Sequence, residues 1–115
     1  MTYTGSCHCG KVKYTVEGEI DKAMACNCSM CQRKGSLLWF VPIDKFELQS
    51  DPAASRVYQF NKHRIDHTFC TTCGIHPYAV GTDPKGNRMA AINVRCLEGI
   101  DLDKVPVSHF DGRAM

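Results

Sequence analysis

The sequence contains 115 residues, of which 43% are hydrophobic and 23% are charged, and its formal net charge is +2. This composition is typical of a globular chain rather than a disordered one, and the length predicts a single domain over residues 1–115. The small net charge and the scattered Lys and Arg residues argue against a nucleic-acid or membrane surface, so small-molecule partners are favoured. Residues 1–6 lack the basic and apolar regions of a secretory signal, and we expect a cytoplasmic protein.

Short strand-like segments follow one another along the first two thirds of the chain. Residues 11–17 alternate apolar and polar side chains, as a half-buried strand does. Further strand-like runs are residues 23–26, 37–41, 46–49, 56–60 and 67–69, most of them bounded by Gly, Pro, Asp or Ser. One short helix is predicted over Ser29–Lys34.

The last third of the chain predicts one hairpin and a tail. Residues 78–81 and 89–94 flank a segment that contains Asp83, Pro84 and Gly86, which suits a turn. Residues 99–115 are predicted to form turns or one short helical segment. Because helical periodicity is nowhere sustained for more than about two turns, the predicted fold class is mostly β, with small antiparallel sheets.

Seven of the eight cysteines lie in three clusters. These are Cys7-His8-Cys9-Gly10, Cys26-Asn27-Cys28-Ser29-Met30-Cys31 and Cys70-Thr71-Thr72-Cys73-Gly74. In a reducing compartment this many cysteines indicate metal ligation or redox chemistry rather than a disulfide framework. Zinc takes about four soft ligands in a tetrahedron, and two thiolates within one turn supply two of them without strain.

The cluster sequences predict how the cysteines divide between two zinc sites. The first and third clusters both end in Cys-Gly, and glycine permits the positive φ that turns backbone amides toward thiolate sulfur. A closed structural zinc site is therefore predicted on Cys7, Cys9, Cys70 and Cys73. The remaining three cysteines, Cys26, Cys28 and Cys31, provide three ligands and leave one position for water or substrate, as a catalytic zinc requires.

Alternatives to this division remain open at the level of sequence. A fourth protein ligand, such as Cys96 or a histidine, would close the second site and make both zincs structural. The pair Cys70 and Cys73 could instead be a redox couple, although no βαβ unit follows it. Cys96 alternates with Ile92 and Val94, which favours a position in the same core.

Polar and aromatic residues near the clusters are further candidates. His63, Arg64 and His67 precede the third cluster, where a cation could receive a carboxylate and a neutral imidazole could take a proton; the alternative is a solvated strand end. His8 is expected to be exposed, because both flanking thiolates face the metal. Surface or packing positions are expected for His76 and His109.

Two adjacent aromatic residues lie in the apolar run of residues 37–41. Trp39 and Phe40 are expected in a buried strand, as such runs usually indicate. Since consecutive side chains of a strand face opposite sides, one of the two rings could line a pocket beside the middle cluster.

The three cysteine motifs resemble those of the glutathione-dependent formaldehyde-activating enzymes and the related centromere protein V domain. The matching segments are residues 5–10, 26–31 and 69–74, and the resemblance covers nearly the whole chain, although Asn27 stands where histidine is often expected. The resemblance implies a β-tent fold similar to that of methionine sulfoxide reductase B. It also implies a structural zinc on the first and third motifs and a functional zinc on the middle one.

The activity that this resemblance implies is that of a carbon–sulfur lyase, which condenses glutathione with formaldehyde to S-hydroxymethylglutathione. A zinc with one open position could bind the thiol as thiolate and raise its nucleophilic fraction at neutral pH. The cofactors expected are two zinc ions per chain, and the expected partner is a small thiol, with glutathione first among the candidates. A different hypothesis is a non-catalytic zinc-binding interaction module, in which the middle zinc would have no exchangeable ligand.

Overall fold

The computed structural model describes residues 1–59 and 65–111. Within these ranges lie ten strands and one α-helix: β1 (Thr2–Ser6), β2 (Lys13–Glu17), β3 (Ala23–Cys26), α1 (Ser29–Lys34), β4 (Leu38–Pro42), β5 (Phe46–Leu48), β6 (Ser55–Tyr58), β7 (Ile65–Cys70), β8 (Tyr78–Thr82), β9 (Arg88–Asn93) and β10 (Val107–Phe110). Single 3-10 turns cover Ile43–Lys45, Pro52–Ala54, Val94–Cys96 and Leu102–Lys104. None of the described helices is both long enough and apolar enough to cross a bilayer.

The strands form two sheets. The smaller sheet has the order β1-β2-β5 and is antiparallel, and the larger has the order β10-β3-β4-β9-β8-β7-β6. In the larger sheet β10 runs parallel to β3, with Phe110 beside Cys26, while the other pairs are antiparallel. The mostly β class is thus confirmed, and the predicted antiparallel pairing holds for every pair except β10 with β3, which makes the larger sheet mixed. A parallel pair is possible because no tight turn joins its two strands, since β3 ends at Cys26 and β10 begins only at Val107.

The core lies where the two sheets meet. Three side chains point inward as the alternation predicts: Val12, which precedes β2, and Tyr14 and Val16 within it. Each is at most 1% exposed. The hydroxyl of Tyr14 donates to the carbonyl of Pro77 at 3.0 Å, which satisfies the polar end of a fully buried ring. A β-carbon on Gly5 would overlap this ring, so only glycine fits at that position of β1.

Most of the predicted elements are present with small shifts of their ends. The helix Ser29–Lys34 and strand β3 have the predicted bounds, and β8 and β9 form the predicted hairpin. The carboxylate of Asp83 accepts the backbone amides of Lys85 and Asn87, each at 2.9 Å, and so fixes the hairpin turn. The end of the strand predicted over residues 56–60 lies outside the described residues.

Two strands were not predicted from the sequence. Strand β1 was not recognised, and β10 lies in the tail that was expected to form turns or a helical segment. The tail does contain one 3-10 turn, Leu102–Lys104. Both strands are short and partly exposed; β1 pairs with β2, the next strand along the chain, whereas β10 pairs with β3, which lies far earlier in the sequence. Local patterns carry little information about such pairing.

Candidate metal centres

The first candidate centre joins the loop after β1 to the end of β7. The structure brings Cys7, Cys9, Cys70 and Cys73 together, with all four sulfur atoms within 4.8 Å of one another. The Sγ atom of Cys9 lies 3.6 Å from that of Cys7 and 3.5 Å from that of Cys70. Tetrahedral zinc with zinc–sulfur bonds of about 2.3 Å requires sulfurs about 3.8 Å apart. The spacing of these four sulfurs therefore fits one zinc ion.

Backbone amides point at the sulfurs of this centre. The amide of Val12 donates to Cys7 Sγ at 3.3 Å, and the amides of Thr72 and Cys73 donate to Cys70 Sγ at 3.3 and 3.4 Å. Such donors stabilise a thiolate, and the amide of Cys73 is the largest cause that lowers the pKa of Cys70 to about 6. These amide donors are therefore placed where they would stabilise thiolate ligands of a metal ion.

Glycine shapes the two loops of this centre as the sequence predicted. Gly10 has φ of 82° and Gly74 has φ of 79°, both in the left-handed region. The Gly74 amide donates to the carbonyl of Cys70 at 3.0 Å, which closes the turn that holds Cys70 and Cys73. The expectation that these glycines permit a positive φ is confirmed.

The second candidate centre is built at the start of α1. Cys26 ends β3, Cys28 is the N-cap of α1, and Cys31 lies in its first turn. The amide of Cys28 donates to Cys26 Sγ at 3.4 Å, and the amide of Cys31 donates to Cys28 Sγ at 3.3 Å. The three sulfurs lie within 4.8 Å of one another. In the described part of the chain, no fourth His, Cys, Asp or Glu joins this group.

The thiols of the second centre differ in their electrostatic environments. Burial raises the pKa of Cys31 to about 12, and the neighbouring Cys28 thiol adds to this effect. Burial also acts on Cys28, but the amide and thiol of Cys31 outweigh it and lower the pKa of Cys28. Three thiols so close together resist collecting three negative charges, and a divalent cation removes this penalty.

A lysine and a histidine lie beside the second centre. Lys34 ends α1, and its Nζ atom lies 3.4 Å from Nδ1 of His67 in β7. His67 is only 5% exposed, so the alternative of a solvated strand end is wrong for this residue. Burial and then the charge of Lys34 lower the pKa of His67 to about 4, which keeps the imidazole neutral. His63 and Arg64 lie outside the described residues.

Lys34 was not singled out from the sequence. The signal was present, since Lys34 follows Cys31 by three residues in a predicted helix and positions three apart share a helix face. What the sequence could not provide is the partner, because His67 is 33 residues away.

A cavity of about 410 Å³ opens beside the second centre. Its floor is a row of residues in register across four neighbouring strands: Phe40 pairs with Ala91, Ala91 with Ala79, and Ala79 with His67. Phe40 is 45% exposed and lines this cavity, whereas Trp39 is 6% exposed and faces the core. The expectation that one of the two rings lines a pocket beside the middle cluster is confirmed.

A second cavity, of about 700 Å³, lies beside the first centre. Its lining includes Cys7 and the basic side chains Arg33, Lys34 and Arg95, and Lys34 borders both cavities. The carbonyl of Ser29 accepts from Arg33 Nη1 at 2.9 Å, and the carbonyl of Gly35 accepts from Arg95 Nε at 3.1 Å. These bonds hold the two guanidinium groups at the ends of α1.

Cys96 lines this second cavity and does not lie in the core with Ile92 and Val94. The Asn93 side chain accepts the Arg95 amide and caps a 3-10 turn, which breaks the strand alternation before Cys96. Cys96 is therefore only partly buried. It belongs to neither cysteine group, and burial raises its pKa to about 11.

The remaining histidines lie near the positions expected. His8 and His109 are exposed, as expected for surface residues. His76 is half-buried, its ring centroid lies 5.6 Å from that of Phe69, and it lines the second cavity.

Comparison with known proteins places this architecture in a family. The family model described as glutathione-dependent formaldehyde-activating enzyme matches residues 2–109. The chain belongs to this family. The chain is also similar to a solved structure, the crystal structure of a Rhodobacter sphaeroides protein, at 29% sequence identity and a TM-score of 0.79. That match covers 91% of this chain and 99% of the other.

Proposed function

We propose that this protein is a zinc-dependent carbon–sulfur lyase of the S-(hydroxymethyl)glutathione synthase type, which activates a small thiol such as glutathione for addition to an aldehyde. The observation that carries the proposal is the three-cysteine group at the start of α1, which borders a cavity and has no fourth ligand in the described residues. Three protein ligands and one position for an exchangeable group are the usual composition of a catalytic zinc site. Membership of the family supports the same assignment.

Two zinc ions per chain are part of this proposal. Cys7, Cys9, Cys70 and Cys73 would hold the structural ion, which would staple the two sheets in the β-tent arrangement that the resemblance implies. The three cysteines of the second centre would hold the functional ion, which when bound would stabilise a substrate thiolate at neutral pH. All eight cysteines are free, which suits the cytoplasmic location that we propose.

The addition step needs no oxidant or reductant. The thiol loses its proton, sulfur bonds to the carbonyl carbon, and the carbonyl oxygen gains a proton to become a hydroxyl. Lys34 borders the cavity and carries a positive charge that favours both the thiolate and the developing oxyanion. The neutral Nδ1 of His67 accepts from Lys34 Nζ and so orients the ammonium group.

The basic cavity beside α1 supports a thiol that carries carboxylates. Glutathione has two carboxylate groups, and Arg33, Lys34 and Arg95 line a common cavity. Guanidinium groups bind carboxylates well because their donors form a planar fork. Since Lys34 borders both cavities, a thiol held at the second centre could place its charged end among these three side chains.

The test is thiol binding to protein in which cobalt replaces zinc. Glutathione should add sulfur-to-metal charge-transfer absorption that saturates with concentration, whereas its S-methyl derivative, which lacks the thiol, should not. Cys28→Ser should abolish this response while the absorption of the four-cysteine centre persists. If glutathione and a panel of other small thiols leave the spectrum unchanged, the site has no exchangeable ligand, and the non-catalytic zinc-binding module becomes the better assignment.

A further inference from the structure

The cavity beside the second centre is far larger than formaldehyde requires. A molecule of two heavy atoms is about the size of water, whose share of liquid volume is about 30 Å³. The cavity has a volume of about 410 Å³, which lies in the range of sites that bind organic ligands of many atoms. Formaldehyde would leave most of this space to water against an apolar wall.

Every strand that contributes to the walls of this cavity supplies an apolar residue, although His67 of β7 and Thr82 of β8 also line it. Apolar lining residues are Met24, Leu38, Phe40, Ile65, Ala79, Val80, Met89, Ala91 and Phe110. Two alanines, Ala79 and Ala91, occupy the middle of the floor, where larger side chains would fill the space. The cavity is therefore created by small residues at central positions between large ones at the edge.

The charged lining residues lie at particular places. Among the described lining residues, Lys34 and Asp83 carry formal charge. The carboxylate of Asp83 accepts from Asn87 Nδ2 and from two amides of its own turn, so its hydrogen-bonding capacity is used within the hairpin. Lys34 belongs to the helix that carries Cys28 and Cys31. Polar chemistry is thus concentrated at the cysteine end, and the remainder suits a hydrocarbon group.

We propose that the electrophile of this enzyme is an aldehyde with an apolar chain or ring of about six carbons or more, whose carbonyl lies at the three-cysteine centre and whose apolar part fills this cavity. The inference rests on the proposed function for the identity of the reacting groups. The bonds formed and broken are those of the thiol addition described above. The apolar walls supply the affinity for the chain, because each buried methylene leaves water.

Methionine methyl groups provide a direct readout of this cavity. Met24 and Met89 line it, Met30 lines the basic cavity instead, and Met1 is 72% exposed. Zinc-loaded protein labelled with 13C at the methionine methyls would be titrated with primary alcohols from ethanol to octanol, which mimic aldehydes without reacting. We expect saturable shifts at Met24 and Met89 and none at Met30 or Met1, with affinity rising about fourfold per methylene.

Variants test whether the signal comes from the cavity itself. Phe40→Asp places a charge in the wall at a half-exposed position and should remove most of the chain-length dependence. Its control is Val57→Asp, which introduces the same carboxylate at a 51% exposed position outside this cavity and should leave alcohol binding unchanged. Ala91→Leu should weaken the longer alcohols more than the shorter ones, because it fills the floor without adding charge.

A second measurement separates this inference from the proposed function. Catalysed exchange between free aldehyde and its glutathione hemithioacetal, followed by NMR, should give a higher kcat/KM for hexanal than for formaldehyde. Alcohol affinity that does not depend on chain length would overturn the inference and leave the cobalt test of thiol binding untouched. A higher kcat/KM for formaldehyde would overturn it as well. If the protein catalyses exchange of none of the aldehydes tested, both the lyase assignment and the proposal that an aldehyde occupies the cavity are overturned.

Discussion

The Nζ atom of Lys34 lies 3.4 Å from Nδ1 of His67, and this contact joins the end of α1 to a buried position in β7. Lysine ammonium can only donate, so Nδ1 accepts and the imidazole carries its proton on Nε2. The positive charge beside it and the burial of the ring both oppose a second proton. The pair is therefore assigned one positive charge, on Lys34, while burial lowers the pKa of this ammonium group and the nearby cysteines oppose that effect.

The first prediction concerns the protonation of His67. Its pKa is lowered from 6.5 to about 4, so the folded protein should keep this imidazole neutral at pH 5. In Lys34→Met the pKa of His67 should rise, because the neighbouring charge is lost, but it should stay below 6.5 because burial remains. Nitrogen NMR of the histidine side chains measures both values.

The control for this experiment is Lys104→Met, which removes an exposed lysine of the Leu102–Lys104 turn and should leave the His67 titration unchanged. A midpoint for His67 near 6.5 in the unaltered protein would show that the ring is accessible to water. That result would contradict the conclusion that burial and the charge of Lys34 keep the His67 imidazole neutral.

The second prediction concerns metal content and its link to folding. Elemental analysis of reduced protein should give two zinc ions per chain. Structural zinc contributes on the order of 10–16 kcal/mol in small domains, which exceeds the stability of most domains, so Cys73→Ser should unfold the protein. Cys28→Ser should lose one zinc equivalent and remain folded, since the other centre still joins β1 to β7.

Cys96→Ala is the matched cysteine control for these variants. It should retain both zinc ions and cost no more than about 1–2 kcal/mol, as expected for a small side chain that is only partly buried. Loss of one zinc equivalent in Cys96→Ala would make this residue a ligand of the second centre. A cooperatively melting Cys73→Ser variant would argue against the four-cysteine structural site.

The third prediction concerns the close contact between Gly5 and Tyr14. Gly5→Ala would force its β-carbon into the buried ring and should lower the free energy of unfolding by about 1–3 kcal/mol, the usual cost of overpacking. The control is Thr4→Ala on the exposed side of the same strand, which should change stability by less than about 0.5 kcal/mol. Denaturant unfolding measures both.

The coupling between the two positions can be checked with Tyr14→Leu. If the contact is the cause, Gly5→Ala should cost much less in the Tyr14→Leu background than in the unaltered protein. Equal costs in the two backgrounds would mean that Gly5 is required for another reason.

The cysteine groups could be predicted because each cluster is local in sequence and because the shared Cys-Gly ends of the first and third clusters indicated that these two distant segments pair. Cys26, Cys28 and Cys31 lie in the first turn of α1 and the residues just before it. The glycines that follow Cys9 and Cys73 indicated the loops of the four-cysteine group. Strand β10 and the contact between Lys34 and His67 could not be predicted, because they depend on which distant segments become neighbours. Cys96 was misplaced since the alternation was extended past Asn93, whose side chain starts a turn.

Strand β10 is hydrogen-bonded to the segment that carries Cys26, the first cysteine of the second centre. Beyond the pairing of β10 with β3, the Asn27 amide donates to the Phe110 carbonyl at 3.2 Å, and Asn27 Nδ2 donates to Asp111 at 3.0 Å. Phe110 also lines the apolar cavity. Fraying of this edge strand would therefore open the cavity and release the backbone at Cys26 in one motion. If the three-cysteine centre holds zinc as we propose, one local unfolding step at β10 would then affect both access to the cavity and retention of the ion.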